Sequence, residues 1–599
     1  MNDKLKIQKN FLTQMKLTEL LNKGLSLHQQ GQITEAQIFY RKILKNYPSH
    51  IQALRLLGLI EAQRKQYDKA IVLLSRATKI DPNDPATFFN LSLALQENKK
   101  IKDAIYFYNK TISLKPNYLE AHFNKGVALN LLVQFNDALD SFNRAIELKP
   151  DYAEAYLNRG ISLQGLEQYN LAINSYDKAI ELKPDYAEAF INRGISLQGL
   201  EQYNLAINSY DKAIELKPDY AEAYLNRALS RQGLNQYDLA FDDYDKAIEL
   251  KPDFAEAHFN KGVALQDINQ FSAALNSYDN AIRVKPDFYI VYHQKSMLKL
   301  LLGEYEDGWR LYESRWKTDS LQDSFRKFNN PLWLGKQSIK NKTILIYAEQ
   351  GLGDSIQFCR YIKILESLSP KKIFLEVPSA LISILSTLDS KATLIDDSSS
   401  IAKFDFHCPL MSLPLALTTT LNTIPAKIPY LYASINKVEH WANKLPKSKY
   451  PKIGLAWSGS TLHKNDHNRS LSIQKLEPLL QLPFEFHCLQ KEIRSPDLKI
   501  INELKKIHTY QEDLNDFSDT AALIENLDLV ISVDTSVAHL AGAMGKKVFI
   551  MLPYAPDYRW MLNRADSPWY PNASLFRQPE RGDWESLIKH LRSVLINQF

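Results

Sequence analysis

The sequence predicts an α-solenoid followed by two α/β lobes, on three observations. Proline recurs at 48, 82, 116, 150, 184, 218, 252 and 286, each interval being 34 residues. Each interval carries two apolar stripes at helical spacing. From Thr343 onward the pattern changes to short apolar runs alternating with amphipathic stretches, as expected of a parallel sheet covered by helices.

The repeat unit reads plainly in residues 151–184, which return almost unchanged at 185–218. Its first stripe is Ala155, Tyr156, Ile161 and Leu163; its second is Tyr169, Ala172, Ile173, Tyr176, Ala179 and Ile180. A break near Gly165–Gln168 separates two helices, and small residues at Gly160, Ala172 and Ala179 let them approach closely. Pro184 ends the second helix because it has no backbone N–H to continue it, and Asp185 is expected to cap the next. Eight complete units run from Met15 to Pro286, and a ninth, divergent pair from 287 to about 317 lacks the proline and carries Trp309 and Trp316. A terminal unit must cover an otherwise exposed apolar face, so these indoles are expected to dock on the next domain.

These positions match the tetratricopeptide motif, which the array resembles over about half the chain. Asn takes the same place in the first helix of seven units: Asn22, Asn90, Asn124, Asn158, Asn192, Asn226 and Asn260. In this family the first helices line the concave face. A carboxamide complements peptide backbone groups, so the series can form a ladder for an extended protein or peptide. The arm of the eukaryotic O-linked N-acetylglucosamine transferase, which this array resembles, carries such a ladder. Alternatively, Asn bonds locally within its own repeat.

In the second half, runs readable as strands are 343–348, 372–377, 392–395, 404–408, 452–457, 484–489, 529–533 and 547–551. They fall into two groups with a Pro-rich seam at 424–446 between them. The domain plan is an extension at 1–14, the repeat array at 15–317, a linker or docking segment at 318–342, and lobes at 343–435 and 436–599.

Two segments join a strand to a helix through a turn: AEQGLGDSIQFCRY from Ala348, and LVISVDTSVAHLAGAMG from Leu529. In this order they resemble heptosyltransferase-type glycosyltransferases (glycosyltransferase family 9). The resemblance is closest to bacterial chains joining tetratricopeptide repeats to that domain. Those share the runs EQGLGD, HKNDHNRS, DTAALIENLDLVISVDTSVAHLAGAMGK and DSPWYP. It implies a GT-B-like double Rossmann domain, with an acceptor-side and then a donor-side lobe and a last helix (584–595) crossing back to the first lobe.

It also implies sugar transfer from a nucleotide-sugar donor, used as substrate, with inversion, direct displacement and neither metal nor cofactor. Asp354 is then the base, on a turn made approachable by Gly351 and Gly353. At the second loop Asp534 precedes a helix start whose Thr535, Ser536 and Val537 amides suit a diphosphate. Lys464 and Arg469 offset charge on the leaving group. Gln490 and Glu492 lie where donor-ribose contacts occur, and His539 belongs to the same donor-binding set, bracing the loop or packing beneath it rather than acting as a base. The aromatic run Tyr554–Trp560 suits stacking of a base or sugar, or else packs the cleft. Taken alone, Asp354 and Asp534 also read as simple helix caps.

The chain of 599 residues is 45% hydrophobic and 24% charged with a net charge of +5, which points to neither nucleic acid nor membrane as the main partner. Cys359, Cys408 and Cys488 have no paired or metal-type spacing, which fits a reducing compartment. With no signal-like or membrane-length apolar segment, the expectation is a cytoplasmic glycosyltransferase acting on a protein recruited by the array. The alternatives are an inactive binding scaffold, or a transferase acting on lipopolysaccharide or polysaccharide.

Overall fold

The computed structural model describes residues 2–319, 321, 325–398, 403–461 and 465–599, with side chains from Met15 onward. It divides into two compact units, Met1–Asn260 and Lys261–Phe599.

The first unit consists of helical hairpins of the expected period. In the unit beginning near Asp151, Ala153–Gly165 and Tyr169–Leu182 pack through Leu157, Gly160, Leu163, Ala172, Tyr176 and Ala179, all buried. Gly160 is where the helices meet: a Cβ there would lie 2.4 Å from Tyr176 Cε1. The tyrosine hydroxyl donates to Gln164 Oε1 (3.1 Å), which also accepts from Ser196 Oγ (2.9 Å), tying one hairpin to the next. Glu167 closes the hairpin at φ 59°, the left-handed conformation that ends many helices.

Asp185 does not cap the following helix, contrary to expectation. Its N-cap is Tyr186, over whose ring Lys183 Nζ stands at 4.5 Å, and Asp185 contributes only its backbone oxygen, to the Ala187 N–H (3.0 Å). The cation–aromatic contact recurs at Lys149/Tyr152, Lys217/Tyr220 and Lys251/Phe254, so the position is used for stacking rather than capping. At the N-terminus one helix runs from Asn2 to Gln29, so the segment read as an extension is helical.

The second unit begins with the last helices of the array and carries two parallel sheets. In the first sheet, strands β1 (Thr343–Tyr347), β2 (Lys372–Glu376), β3 (Thr393–Ile395) and β4 (Phe406–Pro409) lie in the order β3-β2-β1-β4. In the second, β5 (Lys452–Ala456), β6 (Glu485–Cys488), β7 (Ile507–His508), β8 (Leu529–Val533), β9 (Val548–Leu552) and β10 (Ala573–Arg577) lie in the order β10-β9-β8-β5-β6-β7. The strands β7 and β10 are additions to the sequence reading. The chain reverses its direction of travel between β1 and β4, and again between β5 and β8. Crevices at such switch points are where open α/β sheets receive ligands.

The final pair, Tyr289–Leu301 and Tyr305–Tyr312, docks through Trp309, whereas Trp316 is half-buried against Phe325 (5.1 Å) of the segment that follows. Trp309 is buried edge-on to Phe358 (6.1 Å) and Tyr558 (5.7 Å), which follow β1 and β9 respectively. The segment after it is also docked: Asn330 Nδ2 donates to Phe404 O (2.6 Å) and Trp333 N to His407 O (2.8 Å), along β4. Trp333 itself is buried.

The last helix (Trp584–Gln598) does not return to the first lobe. Its apolar face, Trp584, Leu587, Ile588, Leu591 and Leu595, joins the core of the second sheet with Ile453, Phe549 and Phe576. This stripe supplies enough apolar surface to be satisfied locally.

Candidate functional site

The turn after β1 leads into helix α1 (Leu352–Phe358), and the turn after β8 into helix α2 (Ser536–Ala543). The two helices meet at their N-terminal ends, bringing together segments that the sequence separates widely. Gly353 makes the contact possible, since a Cβ there would lie 2.8 Å from His539 Cδ2 and 3.5 Å from Ser536 Cα. Neither Gly351 nor Gly353 has a positive φ. The group that approaches Gly353 closely is the other loop of the protein itself.

Asp354 is the third residue of α1, and its Oδ2 accepts the Gly351 N–H (2.9 Å), so its reading as a helix cap is correct. Its Oδ1 accepts from Arg559 Nη2. Arg559 also reaches Asp557 Oδ1 through Nη1 (2.8 Å), and its Nε has no hydrogen-bond partner among the described residues. Burial opposes the charge of this guanidinium, but Asp557, Asp354 and Asp534 around it keep it protonated.

Asp534 follows β8 directly, with its carboxylate largely buried. Burial, and then the charge of Asp557, push its pKa up to about 6, against the pull of Arg559 and Arg469. Thr535 is the extended N-cap of α2 (φ −142°), and its hydroxyl meets Ser532 Oγ at 3.1 Å rather than capping the helix. Ser536 and Val537 open the helix with no side chain on their amides.

His539 lies beneath this turn, with Nδ1 at 3.0 Å from Tyr570 OH and Nε2 at 3.7 Å from Asp534 Oδ1. Its ring stacks on Trp560 (5.5 Å, 20°). Burial, then Arg559, Arg360 and Arg469, hold it well below the usual imidazole range, so it is neutral at pH 7. These contacts brace the loop from within.

Arg469 crosses to this loop, donating from Nη1 to Asp534 O (3.0 Å) while its guanidinium lies over Gly459, where a Cβ would be 2.5 Å from Nη2. Lys464, its expected companion, lies outside the described residues. Gln490 is an internal brace. Its Oε1 accepts from Trp457 N (2.6 Å) and Ser458 N (3.1 Å), and its Nε2 donates to Ser458 Oγ (2.9 Å) and Glu492 O (3.3 Å). These bonds join the ends of β5 and β6. Glu492 is exposed. In the aromatic run, Tyr558 and Trp560 are buried and serve packing, whereas Tyr554 is half-buried.

A second polar cluster anchors the first loop from below. Arg315, fully buried at the end of the repeat helices, donates to Glu349 Oε1 (3.0 Å), Glu313 Oε1 (2.7 Å) and Ser412 Oγ (2.8 Å). Glu349 also accepts the Met411 N–H (3.2 Å), and burial pushes its pKa up to about 7. Arg315, Glu349, Asp557 and Arg559 escaped the sequence reading. Glu349 stands inside the quoted EQGLGD run, and Arg559 inside the aromatic run, where the rings drew attention away from the cation.

In the first unit, the Asn series is helix-bound at one donor. Asn124, Asn158, Asn192, Asn226 and Asn260 give Nδ2 to the carbonyl four residues back, Glu120, Glu154, Glu188, Glu222 and Glu256, at 2.7–2.9 Å. Asn90 is half-buried and Asn22 exposed. The described residues contain no group of His, Cys, Asp or Glu placed to hold a metal ion, and the three cysteines are free and buried. No helix among them is long and apolar enough to cross a membrane.

Comparisons with known proteins bear on the repeats. The family described as TPR repeat matches residues 58–99, 134–167, 199–234 and 232–269. Families described as tetratricopeptide repeat match 153–186, 20–50 and 255–288. Protein FlbA of Caulobacter vibrioides is 27% identical over 327 residues, 50% of this chain and 54% of its own. The chain thus spans about half the length of the curated relative it matches. Among solved structures, YrrB, a TPR protein with an unusual peptide-binding site, is 23% identical over 31% of this chain and 95% of its own, with a TM-score of 0.27. A tetratricopeptide repeat protein from Parabacteroides merdae is 17% identical over 41% of this chain and 98% of its own, with a TM-score of 0.37. Between residues 20 and 288 the chain is built of tetratricopeptide repeats, and its C-terminal region adds parallel sheets with helices.

Proposed function

We propose that the sheet-bearing region is a GT-B-type glycosyltransferase using a nucleotide-sugar donor, with a protein acceptor recruited by the repeats. The observation that carries this reading is the meeting of α1 and α2. It gathers Asp354, Asp534, Arg469 and Arg559 around two helix N-termini, each following a strand at a switch point of its sheet.

In this reading the donor diphosphate lies at the uncapped N-terminus of α2, where backbone N–H groups and the helix dipole favour an anion. Arg469 and Lys464 stabilise negative charge as it grows on the departing diphosphate. The acceptor hydroxyl oxygen attacks the anomeric carbon as the bond from that carbon to the diphosphate oxygen breaks. Asp354 takes the hydroxyl proton, and the nucleoside diphosphate leaves with the bonding electrons, inverting the centre. Thr535 and Ser536 shape the phosphate end of the pocket. Gln490 acts indirectly, by fixing the turn after β5, and Glu492 is the residue near it that faces solvent.

The repeat array supplies the acceptor. Each helix-bound Asn keeps a carboxamide oxygen and one N–H for an extended peptide, and its orientation is set in advance by the bond to its own helix.

Incubation of the full chain with labelled nucleotide-sugars and extracted protein is the test. Transfer that Asp354→Asn abolishes supports the reading, and full activity in that variant refutes the base assignment. A second reading, a binding scaffold without catalysis, is favoured by the engagement of both Asp354 oxygens. Thermal shifts with a nucleotide-sugar panel separate the two, because a scaffold gains no stability from any donor.

A further inference from the structure

We infer that Arg559 is a positioning residue that restrains Asp354 until an anionic donor draws it away, so that donor binding releases the base. This rests on the glycosyltransferase reading and adds an order of events to it.

Asp354 as it stands is engaged at both oxygens, by the Gly351 N–H at 2.9 Å and by the Arg559 guanidinium. While Arg559 holds Oδ1, its charge favours the ionised carboxylate and makes Asp354 a weaker base toward a hydroxyl proton. The guanidinium is nine-tenths buried, and two of its donors already serve carboxylates, Asp354 and Asp557. Its Nε is buried without a partner, an expensive state for a cationic donor. That donor is open to an acceptor on an incoming ligand.

The neighbourhood makes that acceptor an anion at α2. Asp534, whose charge acts on Arg559, stands just before the uncapped N-terminus of α2. Arg469 approaches the same residue, holding its backbone oxygen at 3.0 Å. A diphosphate there competes with Asp354 for the same guanidinium. Asp354 and the anion are therefore antagonists for Arg559, and their antagonism is measurable without turnover.

The experiment is calorimetric titration of the full chain with inorganic pyrophosphate, using wild type, Asp354→Asn, Arg559→Gln and the double variant. Removing Asp354 should tighten pyrophosphate binding roughly fivefold or more when Arg559 is present. In the Arg559→Gln background the same change should yield less than about twofold, the residual effect of deleting one negative charge. Arg559→Gln alone should weaken binding, and Arg559→Lys should fall between, which guards against loss of fold in the glutamine variant. Equal factors in both backgrounds would overturn the restraint while leaving the donor site standing. No pyrophosphate binding by any of the proteins would overturn the donor site and the restraint together.

Discussion

The imidazole of His539 fills the space that a β-carbon on Gly353 would need, with Cδ2 2.8 Å from that position. One residue follows the first sheet's central strand and the other the second's, so this single contact sets how closely the two loops approach. Gly353→Ala must push α1 away from α2 or displace a ring stacked on Trp560. The expected loss is about 1–3 kcal/mol in chemical denaturation, the usual range for overpacking. Gly351→Ala meets only Asp354 Oδ2, at 3.1 Å, and should cost less than about 1 kcal/mol.

In the repeats the same kind of contact has the opposite consequence. Gly160 lies against Tyr176, but the corresponding place is Ala228 against Tyr244 in a later unit and Ser92 in an earlier one. Both units fold with the tyrosine buried, so the ring yields to a small side chain. Gly160→Ala should therefore stay within about 1 kcal/mol of wild type, because improved helix propensity offsets the tighter fit. Gly160→Leu should disrupt its hairpin, seen as early loss of helical circular dichroism on heating.

Glu349 gives stability a pH dependence. Its folded pKa, about 7, is raised above the ordinary 4.5, chiefly by burial. The folded chain then holds a proton that the unfolded chain has lost. This contribution is complete below about 4.5 and disappears as pH rises through about 7. Between pH 5 and pH 8, wild type should lose roughly 1–3 kcal/mol more than Glu349→Gln, which keeps an acceptor for Arg315 and the Met411 N–H. Denaturation midpoints at the two pH values check this, and equal slopes would contradict it.

Much of the fold was legible because it repeats or because it is apolar. The interval between prolines reported the hairpins, and β-branched runs reported the inner strands to within a residue or two. The short strands β7 and β10 were not legible, since two residues and ASLFR carry too little pattern to stand out. The destination of the last helix was misjudged because amphipathicity says that a face is buried, not against which sheet. At the candidate site, Asp354, Asp534, Arg469 and His539 come together as their motifs suggested. Arg559 and Arg315 did not announce themselves, because a buried arginine is defined by the carboxylates that fold around it. Gln490 was found by its place after a strand, but its bonds are all internal.

The Asn series separates stability from recruitment. Asn158→Ala, Asn192→Ala and Asn226→Ala together remove bonds that half-exposed helices do not need, and alanine is the better helix former. The triple variant should melt within a few degrees of wild type, about 1 kcal/mol or less per site. Transfer to a protein acceptor should fall at least about tenfold, with donor hydrolysis unchanged.

The central claim is that the paired loops bind the diphosphate of a nucleotide-sugar, and equilibrium titration of nucleoside diphosphates against the full chain tests it most directly. One nucleotide class should bind saturably at a single site, and Arg469→Ala should weaken it by about 1.5–3 kcal/mol, the range for a charge-assisted hydrogen bond. Absence of binding by every nucleoside diphosphate, or binding that Arg469→Ala leaves untouched, would contradict the account.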